Sequence, residues 1–155
     1  MKKTVYAFIG LALLALSCGK TTDSGCTPAT ITSENAAMVA YCTANSISYT
    51  THPSGILYEV VSPGTGATPT PSSTVSALYT GKLMNGTIFD ANTSNPVSFP
   101  LANVIQGWTV GLQLIRAGGR IKLIIPSSMA YSCVGTNGIP PNAPLFFDVT
   151  LVSVR

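Results

Sequence analysis

Past residue 50 the chain starts a new apolar run every few residues, and each run stops at a cluster of Gly, Pro, Asn or Ser. Such punctuation leaves room for short strands and tight turns, not for a bundle of long helices. Residues 56–61 read as a strand and 62–74 (SPGTGATPTPSST) as a loop. Residues 75–83 form a second strand, Met84-Asn85-Gly86-Thr87 is a hairpin turn of the Asn-Gly type, and Ile88-Phe89-Asp90 opens a third strand before a loop at 91–96. Between 104 and 115 the period changes. Val104, Trp108, Leu112 and Ile115 recur at helical spacing, and Gly118-Gly119 closes the segment. Residues 120–125 are another strand, 126–144 a long loop, and 145–154 a last alternating strand. Antiparallel strands with one short helix among them predict an α+β fold, a sheet curled around a helix. Ahead of it a helix is expected from Ser33, its N-cap, to about Asn45, burying Met38, Tyr41 and Cys42.

Only 8% of the 155 residues are charged, and the formal net charge is +3. So thin a charge excludes a nucleic-acid binder with a clustered basic face, and equally a charge-rich disordered chain. The 46% of apolar residues suffices for a core. Part of the +3 belongs to the N-terminus, where Met1-Lys2-Lys3-Thr4 leads into an apolar run over 5–16 and then Ser17-Cys18-Gly19. A basic start, a short apolar stretch and small residues form an export signal too short to span a bilayer comfortably. Leu14-Ala15-Leu16-Ser17-Cys18 resembles the bacterial lipobox, which implies cleavage before Cys18 and acylation of its thiol; a secreted soluble protein is the alternative. Removing 1–17 leaves 6 basic residues against 5 acidic, a net +1 that implies no electrostatic partner. The expected organisation is a signal peptide at 1–17, a lipid-anchored polar tether at 18–31, a helix and linker at 32–50, and the folded domain at 51–155.

Cys26, Cys42 and Cys133 remain for an oxidising compartment. Cys26 and Cys42 are the expected disulfide, closing a loop of about 15 residues for which the chain-entropy estimate is about 3 kcal/mol. A free Cys133, or one competing for Cys26 or Cys42, stays open. With no CxxC and a single histidine, His52, neither a zinc site nor a redox motif is supported. Gly64-Thr65-Gly66 lacks the helix and Lys-Ser/Thr that phosphate binding requires, and no Gly-x-Ser-x-Gly elbow accompanies His52.

Four segments, in order, carry a more specific signal. They are Tyr79-Thr80-Gly81-Lys82-Leu83 with Asn85-Gly86-Thr87-Ile88-Phe89-Asp90; Val104-Ile105-Gln106-Gly107-Trp108 with Gly111-Leu112; Gly118-Gly119-Arg120 with Ile125-Pro126 and Ala130-Tyr131; and Ile139-Pro140-Pro141-Asn142-Ala143 with Leu145-Phe146-Phe147-Asp148-Val149. Together, over about residues 54–154, they resemble the FKBP-type peptidyl-prolyl cis-trans isomerases, and the leader and first helix look like exported lipoprotein members of bacteria. The resemblance implies an antiparallel half-barrel sheet, about five-stranded, wrapped around a short helix, with the substrate pocket between them. It implies an isomerase that needs no metal or cofactor, binds proline-containing peptides or unfolded exported proteins, and accepts the macrolide inhibitors of the family. Nothing suggests more than a monomer.

Residue by residue, Trp108 looks like the indole floor under the proline ring, and Val104 and Ile105, at the start of the same helix, match pocket positions. Tyr79, Phe89, Phe99 and Phe147 resemble the aromatic walls. Asp90 matches the pocket carboxylate, Tyr131 the tyrosine whose hydroxyl bonds a substrate carbonyl, and Ile139 the apolar residue at the loop's end. Taken singly, each aromatic reads as plain core; their joint placement points to a site. The chain departs from the family at Ser132-Cys133, where Gly usually follows the tyrosine, and at Val97, where an aromatic is usual. The altered Ser132-Cys133 loop motivates the alternative of a non-catalytic proline-peptide-binding module or periplasmic chaperone.

Overall fold

The computed structural model describes residues 25–155. The expected signal peptide, the lipidation candidate Cys18 and the first part of the expected tether lie outside the described residues. Helix α1 (Ile31–Ala44) starts earlier than expected. Its N-cap is Thr30, not Ser33: the Thr30 side chain accepts from the Ser33 N–H at 3.1 Å, and the Ser33 hydroxyl donates back to the Thr30 carbonyl at 2.8 Å. Ser33 is a plausible cap by type, but here it lies inside the first turn, satisfying the cap rather than forming it. At the other end the Asn45 side-chain amide donates to the Tyr41 carbonyl at 2.9 Å.

Six antiparallel strands follow: β1 (Thr50–Thr51), β2 (Leu57–Ser62), β3 (Thr74–Leu83), β4 (Ile88–Pro100), β5 (Arg120–Ile125) and β6 (Leu145–Val154), in the order β1-β2-β5-β6-β3-β4. The two-residue β1 adds the sixth to the five anticipated. Strand β4 runs straight through the loop expected at 91–96. Against β3, Ala77 pairs with Val97 and Tyr79 with Asn92, so residues 93–96 bulge out opposite Leu78 without ending the strand.

The period of two decides which way each side chain faces. From β5 and β6, Ile121, Leu123, Ile125, Phe147, Val149 and Leu151 enter the main core. Their neighbours Ile124 and Phe146 turn to the other face, where Met38, Tyr41 and Cys42 of α1 cover them. Against the inner face lies α2 (Gln106–Gly111), continued by a 3-10 turn at Leu112–Leu114. This helix is shorter than the 104–115 expected. Val104 and Ile105 are extended and precede it, because the apolar spacing there records burial along the crossing rather than helicity.

The cysteines pair differently from the expectation. Cys26 is bonded to Cys133, with a Cα–Cα distance of 5.3 Å, and among the described residues Cys42 is free and buried. The expected Cys26–Cys42 bond is not formed because Cys26 precedes α1 while Cys42 lies near its far end. A helix of 14 residues is about 21 Å long. Cys42 also faces the sheet with Met38, and burial pushes its thiol pKa up. The observed bond spans 107 residues. For so long a loop the chain-entropy estimate rises to about 4.7 kcal/mol. From Cys26 onward the stretch read as a tether is docked rather than free: the Ala29 N–H donates to the Asn142 side chain at 2.9 Å.

Candidate active site

A cavity of about 510 Å³ opens between α2 and the inner face of the β3–β4–β6 side of the sheet. Its floor is Trp108, whose exposure is 5%. Trp108 stands at the centre of an aromatic cluster. Tyr79 and Phe147 meet it edge-on with centroids at 5.1 and 5.2 Å, and Phe99 lies tilted at 5.3 Å. Such edge contacts set the negative face of one ring against the positive rim of another and fix ring orientation beyond simple burial. The Trp108 Nε1–H is buried and finds no acceptor among the described residues. A donor so placed gives the floor of the cavity a slightly positive, unpaired N–H.

Local sequence explains how the floor and walls come so close. Gly107 and Gly111 lie on the face of α2 turned to β5. A Cβ on Gly107 would sit 2.3 Å from Ile125, and one on Gly111 2.6 Å from Leu123. Side chains at either position would hold the helix off the sheet. Gly81 plays the same part in β3: a Cβ there would meet Phe89 at 2.7 Å and Phe147 at 2.8 Å, two rings that pack edge-on at 5.5 Å. Opposite Gly81 the ladder slips. Gly81 pairs with Asp90 and Lys82 with Ile88, leaving Phe89 unpaired. This bulge turns two consecutive residues, Phe89 and Asp90, toward the cavity, which a regular strand would not do.

Asp90 is held at the rim by the Tyr79 hydroxyl, which donates to its Oδ2 at 2.7 Å. Burial, then the bond to Asp90, push the Tyr79 pKa up to about 12, so the phenol keeps its proton and remains a donor. Tyr131 lines the cavity from the long loop between β5 and β6.

Nine of the ten residues singled out from the sequence for the pocket line this one cavity: Tyr79, Phe89, Asp90, Phe99, Val104, Ile105, Trp108, Tyr131 and Phe147. Ile139 does not. It is buried in the core with 5% exposure, anchoring the loop from beneath rather than forming a wall. The tenth lining residue is Asn103, which the sequence reading missed. It ends the 3-10 turn Leu101–Asn103 directly ahead of Val104, and a polar residue abutting two pocket positions was the available signal.

The family profile of the FKBP-type peptidyl-prolyl cis-trans isomerases matches residues 66–152. Over 107 residues the chain is 47% identical to the FKBP-type peptidyl-prolyl cis-trans isomerase FkpA of Escherichia coli K12, covering 68% of this chain and 40% of that protein. The crystal structure of FkpA from Escherichia coli superposes with a TM-score of 0.72 at 40% identity, over 81% of this chain and 61% of that one. A peptidyl-prolyl cis-trans isomerase structure from Pseudomonas syringae pv. tomato gives 0.66 at 36% identity, over 83% of this chain and 98% of that one. The Outer membrane protein MIP of Legionella longbeachae is 42% identical over 106 residues, 66% of this chain and 46% of that protein. The chain thus spans less than half the length of the curated relatives FkpA and MIP. With the aromatic cavity, these matches place the chain in the family of FKBP-type peptidyl-prolyl cis-trans isomerases.

Proposed function

We propose that the chain accelerates cis-trans isomerisation of X-Pro bonds in exported proteins, in the cavity floored by Trp108. The observation that carries this reading is the closed aromatic cluster around Trp108 with the Tyr79–Asp90 pair fixed at its rim. Rotation about a peptide bond meets a barrier of about 18–20 kcal/mol because the amide loses resonance as it twists. Uncatalysed X-Pro exchange accordingly takes tens to hundreds of seconds. The planar amide carries more charge separation than the twisted one, so water favours the planar form and a dry aromatic cavity favours the twisted form. Only such differential binding lowers the barrier. Trp108 and Phe99 take the proline ring, and the Tyr131 hydroxyl meets a substrate carbonyl in the twisted geometry. Asp90, aligned by Tyr79, orients the substrate through hydrogen bonds. No proton transfer is assigned to it, since no bond to the proline nitrogen is made or broken.

Export and a lipid anchor at Cys18 belong to the same proposal, with residues 18–24 as the tether and a periplasm-facing domain. The basic-apolar-small N-terminus and the Cys26–Cys133 disulfide, which needs an oxidising compartment, support it. The name of the Legionella relative points the same way.

Isomerisation of a proline peptide, or a proline-limited refolding reaction, tests the activity. Acceleration is expected, with a loss of about a hundredfold or more in Trp108→Ala, whose floor no longer positions the ring. Folded protein that binds proline peptide without accelerating exchange would overturn the reading in favour of a binding module.

A further inference from the structure

The loop between β5 and β6 presents Tyr131 to the cavity, while elsewhere it is tied to the segment ahead of and beginning α1 at three places. Near the loop's start, the buried Glu34 accepts from the Ser127 N–H at 2.8 Å and from the Ser127 hydroxyl. In its middle, Cys133 is bonded to Cys26. Near its end, the Asn142 side chain accepts from the Ala29 N–H at 2.9 Å and donates to the Thr27 carbonyl at 3.1 Å. Glu34 has no cation partner among the described residues, and its side chain is held by the two bonds it accepts from Ser127.

The ties fall where the loop backbone is least comfortable. Ser132 and Asn142 both adopt left-handed conformations, with φ of 51° and 54°. They are linked to each other, the Asn142 N–H donating to the Ser132 carbonyl at 2.8 Å, and Ser132 in turn donates to the Ser127 carbonyl at 2.8 Å. Left-handed backbone outside glycine persists only where its surroundings over-determine it. Asn142 is itself a tie, and Ser132 stands between Tyr131 and the disulfide-bonded Cys133.

From this we infer that the segment from Cys26 to Glu34 is a positioning element for isomerisation, holding the 127–142 loop in the one arrangement that presents Tyr131 to the substrate. The inference rests on the isomerase reading above. An unheld loop would bring Tyr131 into place only part of the time, and substrate binding would have to supply the ordering.

The test cuts two of the three ties, leaving Glu34 on Ser127, without touching a cavity residue. Asn142→Gly keeps left-handed backbone available and removes only the amide; Cys26→Ser with Cys133→Ser removes the covalent link. The triple variant and the wild type are each combined with Tyr131→Phe, and kcat and KM are measured on a proline peptide. Far-UV circular dichroism and the fluorescence of Trp108, the sole tryptophan, verify the fold. The triple variant is expected to lose about tenfold in kcat/KM. Tyr131→Phe is expected to cost about fivefold in the wild type but less than about twofold in the triple variant, because a misplaced hydroxyl has little left to lose. Replacing Asn142→Gly by Asn142→Asp, which keeps the acceptor for the Ala29 N–H, should recover part of the rate. Unchanged kcat/KM in the triple variant would overturn the inference. So would a loss to which Tyr131→Phe still adds its full wild-type factor, since the segment would then merely support the fold. Should the triple variant unfold, Asn142→Gly alone is read by the same criterion. These failures leave the isomerase reading standing; a wild type indifferent to Trp108→Ala would sink both.

Discussion

The two faces of the sheet are built from neighbouring residues of the same strands, yet they finish differently. On the outer face, Leu57, Ile124 and Phe146 are covered by the 14-residue α1, and Tyr41 packs on Phe146 at 5.2 Å. Beyond the helix that face turns polar, with Lys122 bonded to Glu59 at 2.6 Å and Arg120 held in a two-pronged bond to Asp148. On the inner face the cover is α2, six residues long and faced with glycine. It seats closely on β5 but is too short to cover β3, β4 and the start of β6. What it leaves uncovered is the aromatic cavity. The outer face packs the apolar surface under α1 for stability, leaving only scattered residues such as Val152 exposed, whereas the inner face keeps a contiguous aromatic cavity open for a ligand.

The comparison breaks most directly with a matched pair of truncations. Leu57 of the outer cluster and Leu112 of the inner one are both essentially fully buried. Either Leu→Ala change should cost about 2–5 kcal/mol, read as a shift in denaturant midpoint. Isomerase activity should separate them. Below its unfolding transition Leu57→Ala should retain kcat/KM within a factor of about two, while Leu112→Ala, one turn after Trp108, should lose about tenfold as the floor of the cavity shifts. Equal losses of activity would mean that the two faces are not separable.

A smaller effect tests the seating of α2 alone. Gly107→Ala places a methyl 2.3 Å from the Cγ2 of Ile125, which is fully buried and has nowhere to move. Overpacking should cost about 1–3 kcal/mol, offset in part by the better helix propensity of alanine. Because Trp108 is the next residue, kcat/KM should fall along with stability. A variant more stable than wild type with full activity would show that the helix tolerates a wider separation than its contacts imply.

How much of this was legible in the chain follows from which interactions are local. The strands at 120–125 and 145–154 could be placed because alternation and flanking turns are written into adjacent residues. Nine of the cavity residues were legible through their resemblance to family motifs, which are contiguous in sequence; one motif contains Gly81, whose missing side chain makes room for Phe89 and Phe147. What escaped is long-range. Nothing near Cys26 reveals that its partner lies 107 residues away, and loop-closure entropy alone favours the shorter loop to Cys42. The strand through 91–96 was hidden by turn-forming residues that a bulge accommodates as readily as a loop. The early end of α2 was masked by apolar spacing that serves burial in helical and extended backbone alike.

The least disruptive test bears on the rim of the inner face, where a proton rather than a side chain is removed. Tyr79 has its pKa raised from 10.0 to about 12 by burial and by its bond to Asp90. The folded state therefore holds this proton more tightly than the unfolded one. Its contribution to stability is fully present below pH 10 and is lost as pH rises from about 10 through about 12. Because the ring is only partly buried, solvent screening should keep that contribution under about 1 kcal/mol. Tyr79→Phe should abolish this part of the pH dependence, seen as a difference between the two proteins in midpoint against pH. Activity should show no titration of Tyr79 between pH 7 and 10, because the phenol stays a donor to Asp90 throughout that range. An absorbance titration in which the tyrosine lost by Tyr79→Phe ionises completely by pH 10 would show that Asp90 does not hold the proton, and that the rim of the cavity is as wet as the outer face.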